Sequence, residues 1–273
     1  MGNESKPAAM PEIQLLAPGE PPPFRVLNED VASPILLLCD HASRYMPSSL
    51  GNLGLDPVAL RSHLAWDIGA GATTEHLAEA LGVTAVLAGY SRLVVDCNRK
   101  LLDAQAFLEF GDGVVINGNR GLDQADRQAR ADAIYWPYHA AISQQLDRLH
   151  SAGCAPIILA MHSFTPVMEG VQRPWEIGIL WDKDPRVPDV LIAELRRAGI
   201  NVGDNEPYSG RGPQDFTIDH HAESRGLPHA GIEIRQDLIS DEDGVERIAG
   251  LLKELFAKLP EQLEISGTPA AVR

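Results

Sequence analysis

The chain has 273 residues, of which 44% are hydrophobic, so it is long enough for one large α/β domain or two small ones. Its formal net charge of -15 argues against nucleic-acid binding, because such a chain repels phosphate backbones. The absence of an apolar run of 18 residues and of a signal-peptide pattern, with three scattered cysteines, predicts a cytoplasmic protein with reduced thiols and no membrane span.

The predicted elements form one α/β domain between two polar ends. Residues 1–25, which contain six prolines, predict a flexible arm; residues 26–264 form a single domain, and residues 265–273 a flexible tail. Strands are predicted over residues 34–39, 83–88, 93–95, 155–161, 176–181 and 230–234. Helices are predicted over residues 72–81, 123–150 with a break near Pro137, 187–198 and 244–258. This alternation predicts a three-layer sandwich, in which a mostly parallel mixed sheet carries helices on both faces.

Polar and titratable side chains follow the predicted strands. Ligands of such sheets bind at the carboxyl ends of the strands, so these residues mark the candidate site. They are Asp40, His41, Asp96, Asn98, Arg99, His162, Ser163, Glu233, Arg235 and Asp237. The chain has no GxxxxGK[ST], GxGxxG, GxSxG or HExxH motif, which favours a metal site assembled from separate strand ends.

Two histidines, His41 and His162, directly follow buried strands and are candidate metal ligands. Two imidazoles with one carboxylate and an open water position are a donor set of catalytic zinc, and Asp67 is the candidate third ligand. Each histidine could instead be a hydrogen-bonded loop residue. Asp67 precedes a helical pattern that begins at Ile68, so it could equally cap that helix.

Glu233 is the candidate general base. It lies between Ile232 and Ile234, so its side chain points to the opposite face of the strand from theirs. A buried carboxylate in that position could take a proton from a water and deliver it to a leaving amine. The alternative is a surface glutamate on an edge strand.

Several residues are candidates for binding an anionic substrate. Arg92 and Arg99 could clamp a carboxylate, with Asn98 as a further planar donor, although Arg92 could instead form a structural salt bridge with Asp96. The turn-rich loop of residues 205–210 is typical of a ligand-contacting segment and also of any surface loop. Further candidates for substrate contact are Asn205, Tyr208 and Arg235.

Five segments in the same order resemble the N-formylglutamate amidohydrolase family, over about residues 35–258. They are CDHAS at 39–43, HLAWDIGA at 63–70, SRLVVDCNR at 91–99, MHSFTP at 161–166 and GLPHAGIEIRQDL at 226–238. The resemblance implies a phosphorylase/hydrolase-like three-layer sandwich related to the zinc carboxypeptidases.

That relationship implies a role for each matching residue. His41 and His162 resemble the two histidine ligands of the zinc carboxypeptidases, and Glu233 resembles their general base. Asn98 and Arg99 resemble the pair that holds the substrate carboxylate, and Arg92 resembles a group that polarises the scissile carbonyl. The chain departs from their His-x-x-Glu pattern at Arg44, which cannot bind zinc, so Asp67 is the expected third ligand.

The resemblance implies a zinc-dependent amidohydrolase that cleaves a small anionic N-acyl amino acid of the N-formylglutamate type. One Zn²⁺ per chain is expected, although another divalent metal would satisfy the same ligands. The alternatives are a non-catalytic protein that binds small acids on the same fold, and a deacylase or peptidase of different substrate. The oligomeric state is left open.

Overall fold

The structure, a computed structural model, describes residues 14–212 and 215–265. The strands, in chain order, are β1 (Phe24–Leu27), β2 (Ile35–Cys39), β3 (Thr84–Ala88), β4 (Phe110–Gly111), β5 (Val114–Val115), β6 (Ile157–Phe164), β7 (Val167–Met168), β8 (Val171–Gln172), β9 (Ile177–Leu180), β10 (Val202–Asp204) and β11 (His229–Arg235). The α-helices are α1 (Ala70–Leu81), α2 (Gln124–Arg130), α3 (Trp136–Ser151), α4 (Arg186–Arg197), α5 (Phe216–His221), α6 (Glu242–Phe256) and α7 (Leu259–Gln262).

The central sheet has seven strands in the order β1-β3-β2-β6-β11-β9-β10. The four inner strands β3, β2, β6 and β11 are parallel to one another, whereas β1 is antiparallel to β3 and β9 is antiparallel to β11. The pairs β4-β5 and β7-β8 form two small hairpins beside this sheet. The sheet is therefore mostly parallel and mixed, as the sequence predicted.

Helices cover both faces of the sheet and produce two hydrophobic cores. On one face, Leu37 of β2 belongs to a core with Leu77 of α1 and Leu252 of α6. On the other face, Leu36 of β2 belongs to a core with Ile142 of α3. Every residue of β2 is buried because both of its faces are covered, which explains its continuous apolar run. The predicted three-layer sandwich is confirmed.

The long predicted helix is interrupted one turn before the expected place. Residues Ala131–Tyr135 form a π turn between α2 and α3, in which the Trp136 amide donates to the Ala131 carbonyl. Pro137 has no amide hydrogen to offer the preceding turn, so the hydrogen-bond register changes just ahead of it.

The predicted strand over residues 93–95 is wrong. This segment forms a turn in which Ser91 accepts hydrogen bonds from the Leu93 amide at its Oγ (3.2 Å) and from the Val94 amide at its carbonyl (3.0 Å). Leu93 and Val94 are fully buried, so their apolar character reflects core packing and not strand pairing. The two edge strands β1 and β10 were not predicted.

The part of the predicted arm that the structure describes packs against the domain. Leu15 is only 4% exposed, the Tyr90 hydroxyl donates to the Pro21 carbonyl (2.7 Å), and the Gly89 amide donates to the Pro23 carbonyl (2.8 Å). These contacts join the described part of the predicted arm to the domain. Residues 1–13 of the arm and 266–273 of the predicted tail lie outside the described residues, and the flexibility of both ends stays a prediction.

No helix in the described ranges combines the length and the apolar character that crossing a bilayer requires. The cytoplasmic location remains a prediction from sequence.

Candidate metal centre and surrounding cleft

A cleft of about 390 Å³ lies at the carboxyl ends of the parallel strands β2, β6 and β11. Its lining includes all three candidate metal ligands and both candidate catalytic residues. Its lining includes His41, His63, Asp67, Arg92, Asn98, Arg99, Gln105, His162, Tyr208, Asp215 and Glu233. The position matches the rule that ligands of parallel sheets bind where the strands end.

Two histidines and one aspartate converge in this cleft. The Nδ1 atoms of His41 and His162 lie 3.4 Å and 3.0 Å from the same oxygen, Oδ2 of Asp67. Their potential ligand atoms lie within 4.8 Å of one another, and all three side chains are buried. Over residues 14–212 and 215–265, no other group of three His, Cys, Asp or Glu side chains has this geometry. The structure therefore brings together the three ligands that the sequence proposed.

Asp67 is not the cap of helix α1. The N-cap residue is Gly69, which has a φ of +79° and gives no side-chain capping bond. Asp67 is held instead across the sheet edge: its amide donates to the His41 carbonyl (3.0 Å), and its Oδ2 accepts from the Ser163 amide (3.2 Å). The loop before α1 thus delivers a carboxylate between the two imidazoles.

Each histidine directs its second nitrogen towards a different aspartate. Nε2 of His41 lies 2.8 Å from Oδ1 of Asp96, and Nε2 of His162 lies 3.5 Å from Oδ2 of Asp40. Burial opposes protonation of both rings, but the surrounding carboxylates prevail and raise the pKa of His41 and His162. Conversely, the two imidazoles hold the pKa of Asp67 below its ordinary value despite its burial.

Glu233 lies beside this group on β11, in register with His162 of β6. It is only 6% exposed, and its Oε2 has no hydrogen-bond partner among the described residues. Burial raises the pKa of Glu233 to about 7. The alternative of a surface glutamate on an edge strand is wrong, because β11 lies between β6 and β9 and both of its neighbours are paired with it.

A glycine next to Glu233 lets a loop cross the sheet. A Cβ at Gly178 of β9 would lie 2.1 Å from the carbonyl oxygen of Glu206 and 3.3 Å from the Cβ of Glu233. Only a residue without a side chain fits there while residues 205–210 pass over the strand. The loop that carries Tyr208 is thereby brought close to the candidate general base.

Arg92 forms the salt bridge with Asp96 that the sequence offered as an alternative, and it also lines the cleft. Its Nη2 and Nε donate to Oδ2 of Asp96 (2.7 and 3.1 Å), while Nη1 lies 3.7 Å from Oδ1 of Asp67. Asp96 therefore contacts His41 through Oδ1 and accepts both hydrogen bonds from Arg92 at Oδ2. The guanidinium is fixed next to the proposed metal ligands, with a quarter of its side chain exposed.

Asn98 and Arg99, which the resemblance assigns to the substrate carboxylate, both line the cleft. Oδ1 of Asn98 accepts from the Thr217 amide (2.9 Å). Nη1 of Arg99 donates to the Asn98 carbonyl (2.9 Å), and its Nε donates to Oε1 of Gln105 (3.3 Å). These bonds fix the orientation of both side chains relative to the strand ends.

Of the other three substrate candidates, the structure places only Tyr208 in the lining. Its hydroxyl accepts from Nη1 of Arg173 (3.0 Å), whose guanidinium also lies 4.9 Å from the tyrosine ring. Arg235 pairs with Asp237 (2.7 Å), and neither residue belongs to the cleft lining. Asn205 uses its Oδ1 to accept from the Trp181 and Gly210 amides, which braces its own loop.

Sequence reasoning missed several polar residues of the site. Asp40 was named among the polar residues that follow the strands but was given no role, and Asp215 was not considered. Nε2 of His63 lies 2.7 Å from Oδ2 of Asp112, and this pair also lines the cleft. His63 lies in the same motif as Asp67, which was the available signal; Asp112 comes from the turn between β4 and β5, which no pattern marked.

Comparisons with known proteins agree with this picture. The sequence profile of the family described as N-formylglutamate amidohydrolase matches residues 33–240, more than half of the chain. Gene product Atu2144 from Agrobacterium tumefaciens is 38% identical, with a TM-score of 0.89 over 92% of this chain and 99% of its own. The search of curated proteins gave no significant match.

A second solved structure supports the fold. The N-formylglutamate amidohydrolase from Ralstonia eutropha JMP134 is 21% identical, with a TM-score of 0.71 over 89% of this chain and 98% of its own. At this identity the likeness concerns the fold alone. The family resemblance read from the sequence is confirmed by the profile.

Proposed function

The chain belongs to the N-formylglutamate amidohydrolase family, and from this premise we propose that it hydrolyses the amide of a small N-acyl amino acid with the help of a divalent metal ion. The observation that carries the proposal is the convergence of His41 Nδ1, His162 Nδ1 and Asp67 Oδ2 beside the buried carboxyl group of Glu233.

The residues present suit a zinc ion. Two imidazole nitrogens and one carboxylate oxygen are a usual protein donor set of catalytic zinc, which keeps one further position open. The second nitrogen of each imidazole faces a carboxylate, an arrangement that orients metal-bound histidines in other proteins. Arg44, which stands where the carboxypeptidases have their glutamate ligand, lies over the ring of Trp66, 5.7 Å from its centre. We assign Asp67 as the third ligand because its Oδ2 lies 3.4 and 3.0 Å from Nδ1 of His41 and Nδ1 of His162.

The residues of this chain divide the reaction between them. When bound, Zn²⁺ would lower the pKa of a water molecule towards about 7 and polarise the acyl carbonyl. Glu233 accepts a proton from the attacking water and later delivers it to the departing amine, a role that its buried position beside the proposed ligands allows. Arg92 stabilises the charge that develops on the carbonyl oxygen, a contribution of roughly 3 kcal/mol for one donor.

The substrate is held through its carboxylate. Arg99 and Asn98 provide a guanidinium and an amide for it, and Tyr208 lines the same cleft. N-formylglutamate is the first substrate to test, because the family takes its description from it. Amides of other small N-acyl amino acids fit the same chemistry.

A non-catalytic acid-binding protein is the second candidate, and the absence of the His-x-x-Glu glutamate favours it. The buried position of Glu233 argues against it, because such burial is costly unless the group has a use. The two candidates differ in whether the metal and Glu233 are needed.

Elemental analysis of protein purified without added metal or chelator is the first experiment. We expect about one zinc per chain, lost in His41→Ala and retained in His150→Ala, which changes an exposed histidine. Hydrolysis of N-formylglutamate and of a panel of N-acyl amino acids then identifies the substrate. Failure to contain or take up any divalent metal would overturn the proposal, and metal binding without hydrolysis of any panel member would favour the binding protein.

A further inference from the structure

The segment of residues 94–99 ends in Asn98 and Arg99, the two residues of the proposed carboxylate clamp, and it is buried without being a strand. Val94, Asp96 and Asn98 are at most 5% exposed, yet the segment belongs to no helix or strand. A buried carbonyl group needs a hydrogen-bond donor, and here no neighbouring strand provides one. The donors therefore have to come from side chains or from loops.

Two side chains of the helical layer supply donors next to the clamp. The Tyr135 hydroxyl donates to the Arg99 carbonyl (3.0 Å). Nε2 of His139 lies 2.9 Å from the Cys97 carbonyl, and it must be the donor because a carbonyl group can only accept. The two bonds therefore bracket Asn98, since one holds the residue before it and the other holds the residue after it.

The π turn explains how Tyr135 reaches this segment together with a donor from α2. Arg130 donates from Nη1 to the Val94 carbonyl (3.0 Å). In an unbroken α-helix, a residue five positions later would lie about 140° round the helix axis from Arg130. The π turn (Ala131–Tyr135) contains one residue more than an α turn, so it returns Tyr135 towards the side of Arg130. Both side chains thus meet the same buried segment.

The start of α5 holds Asn98 from another direction. The Thr217 amide donates to Oδ1 of Asn98 (2.9 Å), and the Thr217 hydroxyl donates to Oδ1 of Asp40 (2.9 Å). The Tyr138 hydroxyl donates to the same oxygen of Asp40 (2.7 Å). Because the side-chain oxygen of Asn98 already accepts from Thr217, its NH₂ group is the part that can donate to a substrate carboxylate.

We propose that Tyr135 and His139 are positioning residues of the carboxylate clamp: by holding the carbonyl groups on both sides of Asn98, they fix where its amide and the neighbouring guanidinium stand in the cleft. The inference rests on the proposed function, which assigns the substrate carboxylate to these two groups. Neither Tyr135 nor His139 belongs to the cleft lining, so their effect on a substrate passes through the backbone of residues 97–99. Donors that are fixed before binding lose less entropy when the ligand arrives.

Tyr135→Phe tests the proposal because it removes only the hydroxyl donor. We expect the Kd of N-formylglutamate to rise about 2- to 10-fold, the equivalent of one neutral hydrogen bond, with unchanged zinc content. Calorimetry on zinc-loaded protein in a Glu233→Gln background measures this Kd without rapid turnover. Tyr90→Phe is the matched control, because Tyr90 is also buried and its hydroxyl donates to the Pro21 carbonyl and not to this segment.

The two mono-amides of N-formylglutamate distinguish positioning of the clamp from a general loss of structure. Each compound replaces one carboxylate by an uncharged amide, so one of the two lacks the carboxylate that the clamp binds. For that compound, Tyr135→Phe should raise the Kd less than it does for N-formylglutamate, because the two changes remove the same interaction. An equal rise for all three compounds, or no rise for any, would overturn the proposal.

Hydrogen–deuterium exchange separates this proposal from the proposed function. The Asn98 and Arg99 amides should exchange faster in Tyr135→Phe than in the wild type or in Tyr90→Phe, whether or not a substrate binds. A wild type that binds none of the three compounds would refute the proposed substrate alone. Unchanged exchange of both amides in Tyr135→Phe would overturn the positioning role.

A second pair of variants applies should Tyr135→Phe not fold. In His139→Gln the side-chain amide can still donate to the Cys97 carbonyl, whereas His139→Leu offers no donor. The leucine variant should therefore show faster exchange of the Asn98 amide and a higher Kd for N-formylglutamate than the glutamine variant. Equal exchange in the two variants would overturn the proposal.

Discussion

The molecule buries two histidine pairs with the same ring separation and opposite electrostatic character. The rings of His41 and His162 are 5.2 Å apart, and so are those of His139 and His221. Carboxylates surround the first pair and raise the pKa of both rings. In the second pair, Nδ1 of His139 lies 2.9 Å from Nε2 of His221, and Nε2 of His139 lies 2.9 Å from the Cys97 carbonyl.

The second pair shows what burial does to histidine when no carboxylate bonds to it. Burial lowers the pKa of His139 to about 4 and that of His221 to about 3. Both rings are therefore neutral at pH 7 and serve as hydrogen-bonding parts of the core. The difference shows that two adjacent histidines do not by themselves favour a positive charge, whereas the aspartates around the first pair do.

Removal of a proposed metal ligand should have the largest effect on zinc content, and it should distinguish the first histidine pair from the second. In His41→Ala or His162→Ala, we expect complete loss of bound zinc, because only two protein donors remain. In His139→Gln, the zinc content should stay at the wild-type value even if the protein is less stable. Elemental analysis of folded protein gives the answer, and equal zinc loss in all three variants would contradict the division of roles.

Glu233→Gln, next to the first histidine pair, should lower catalytic activity without changing metal binding. The glutamine keeps the shape but cannot accept the proton of the attacking water, so we expect kcat to fall about 100-fold or more. The zinc content should be unchanged. Steady-state kinetics beside elemental analysis would test this, and retained turnover would refute the role of Glu233 as general base.

Arginine substitutions would define how far the functional region extends. Arg99→Ala should raise KM roughly 10- to 100-fold, the equivalent of a lost charge-assisted hydrogen bond of ~1.5–3 kcal/mol. Arg235→Ala removes a side chain that pairs with Asp237 outside the cleft lining, so KM should stay close to the wild-type value. The reverse order of effects would place the substrate carboxylate near Arg235.

A fall in pH should change the contributions of the two histidine pairs to folding stability in opposite directions. For His139 and His221 the folded pKa is below the unfolded value of about 6.5, so their contribution to stability is present above that pH. It is lost as pH falls towards about 4 and about 3. The raised pKa values of His41 and His162 give metal-free protein a contribution that is present in acid and lost as pH rises.

Urea unfolding of the metal-free protein between pH 7 and pH 4 measures the sum of these two contributions to the free energy of unfolding. Each histidine of the second pair contributes at most about 1.4 kcal/mol per pH unit to the slope. The double variant His139→Gln, His221→Gln should lose that slope, whereas His150→Ala, which changes an exposed histidine, should keep it. A double variant with the wild-type pH dependence would refute the assignment of the acid-sensitive groups.

The sequence predicted those parts of the fold whose cause is local. Strands such as β2 and β6 are buried on both faces, so their apolar runs are visible without a structure. The edge strands β1 and β10 are short and lack such a run. Residues 93–95 were misassigned because a turn packed into the core has the same composition as a buried strand.

The site residues that could be predicted are those whose place in the site follows from their position in the sequence, directly after a strand. His41 and His162 were found because each lies where a buried strand ends. The partners of Asp40 were not predictable, because Tyr138 is 98 residues away and Thr217 is 177 residues away, and only tertiary packing brings them together. Asn205 and Arg235 were predicted to contact the substrate from their polar character alone, and that character does not reveal that Asn205 bonds to amides of its own loop and Arg235 to Asp237.

Gly178 has a consequence for laboratory evolution of this enzyme. It carries no functional group, yet every other residue there would collide with the Glu206 carbonyl that passes over the strand. In a saturation library selected for hydrolysis, position 178 should therefore be as intolerant as position 233, for a steric reason and not a chemical one. Attempts to change specificity through the Tyr208 loop will have to retain this glycine or redesign the loop and the strand together.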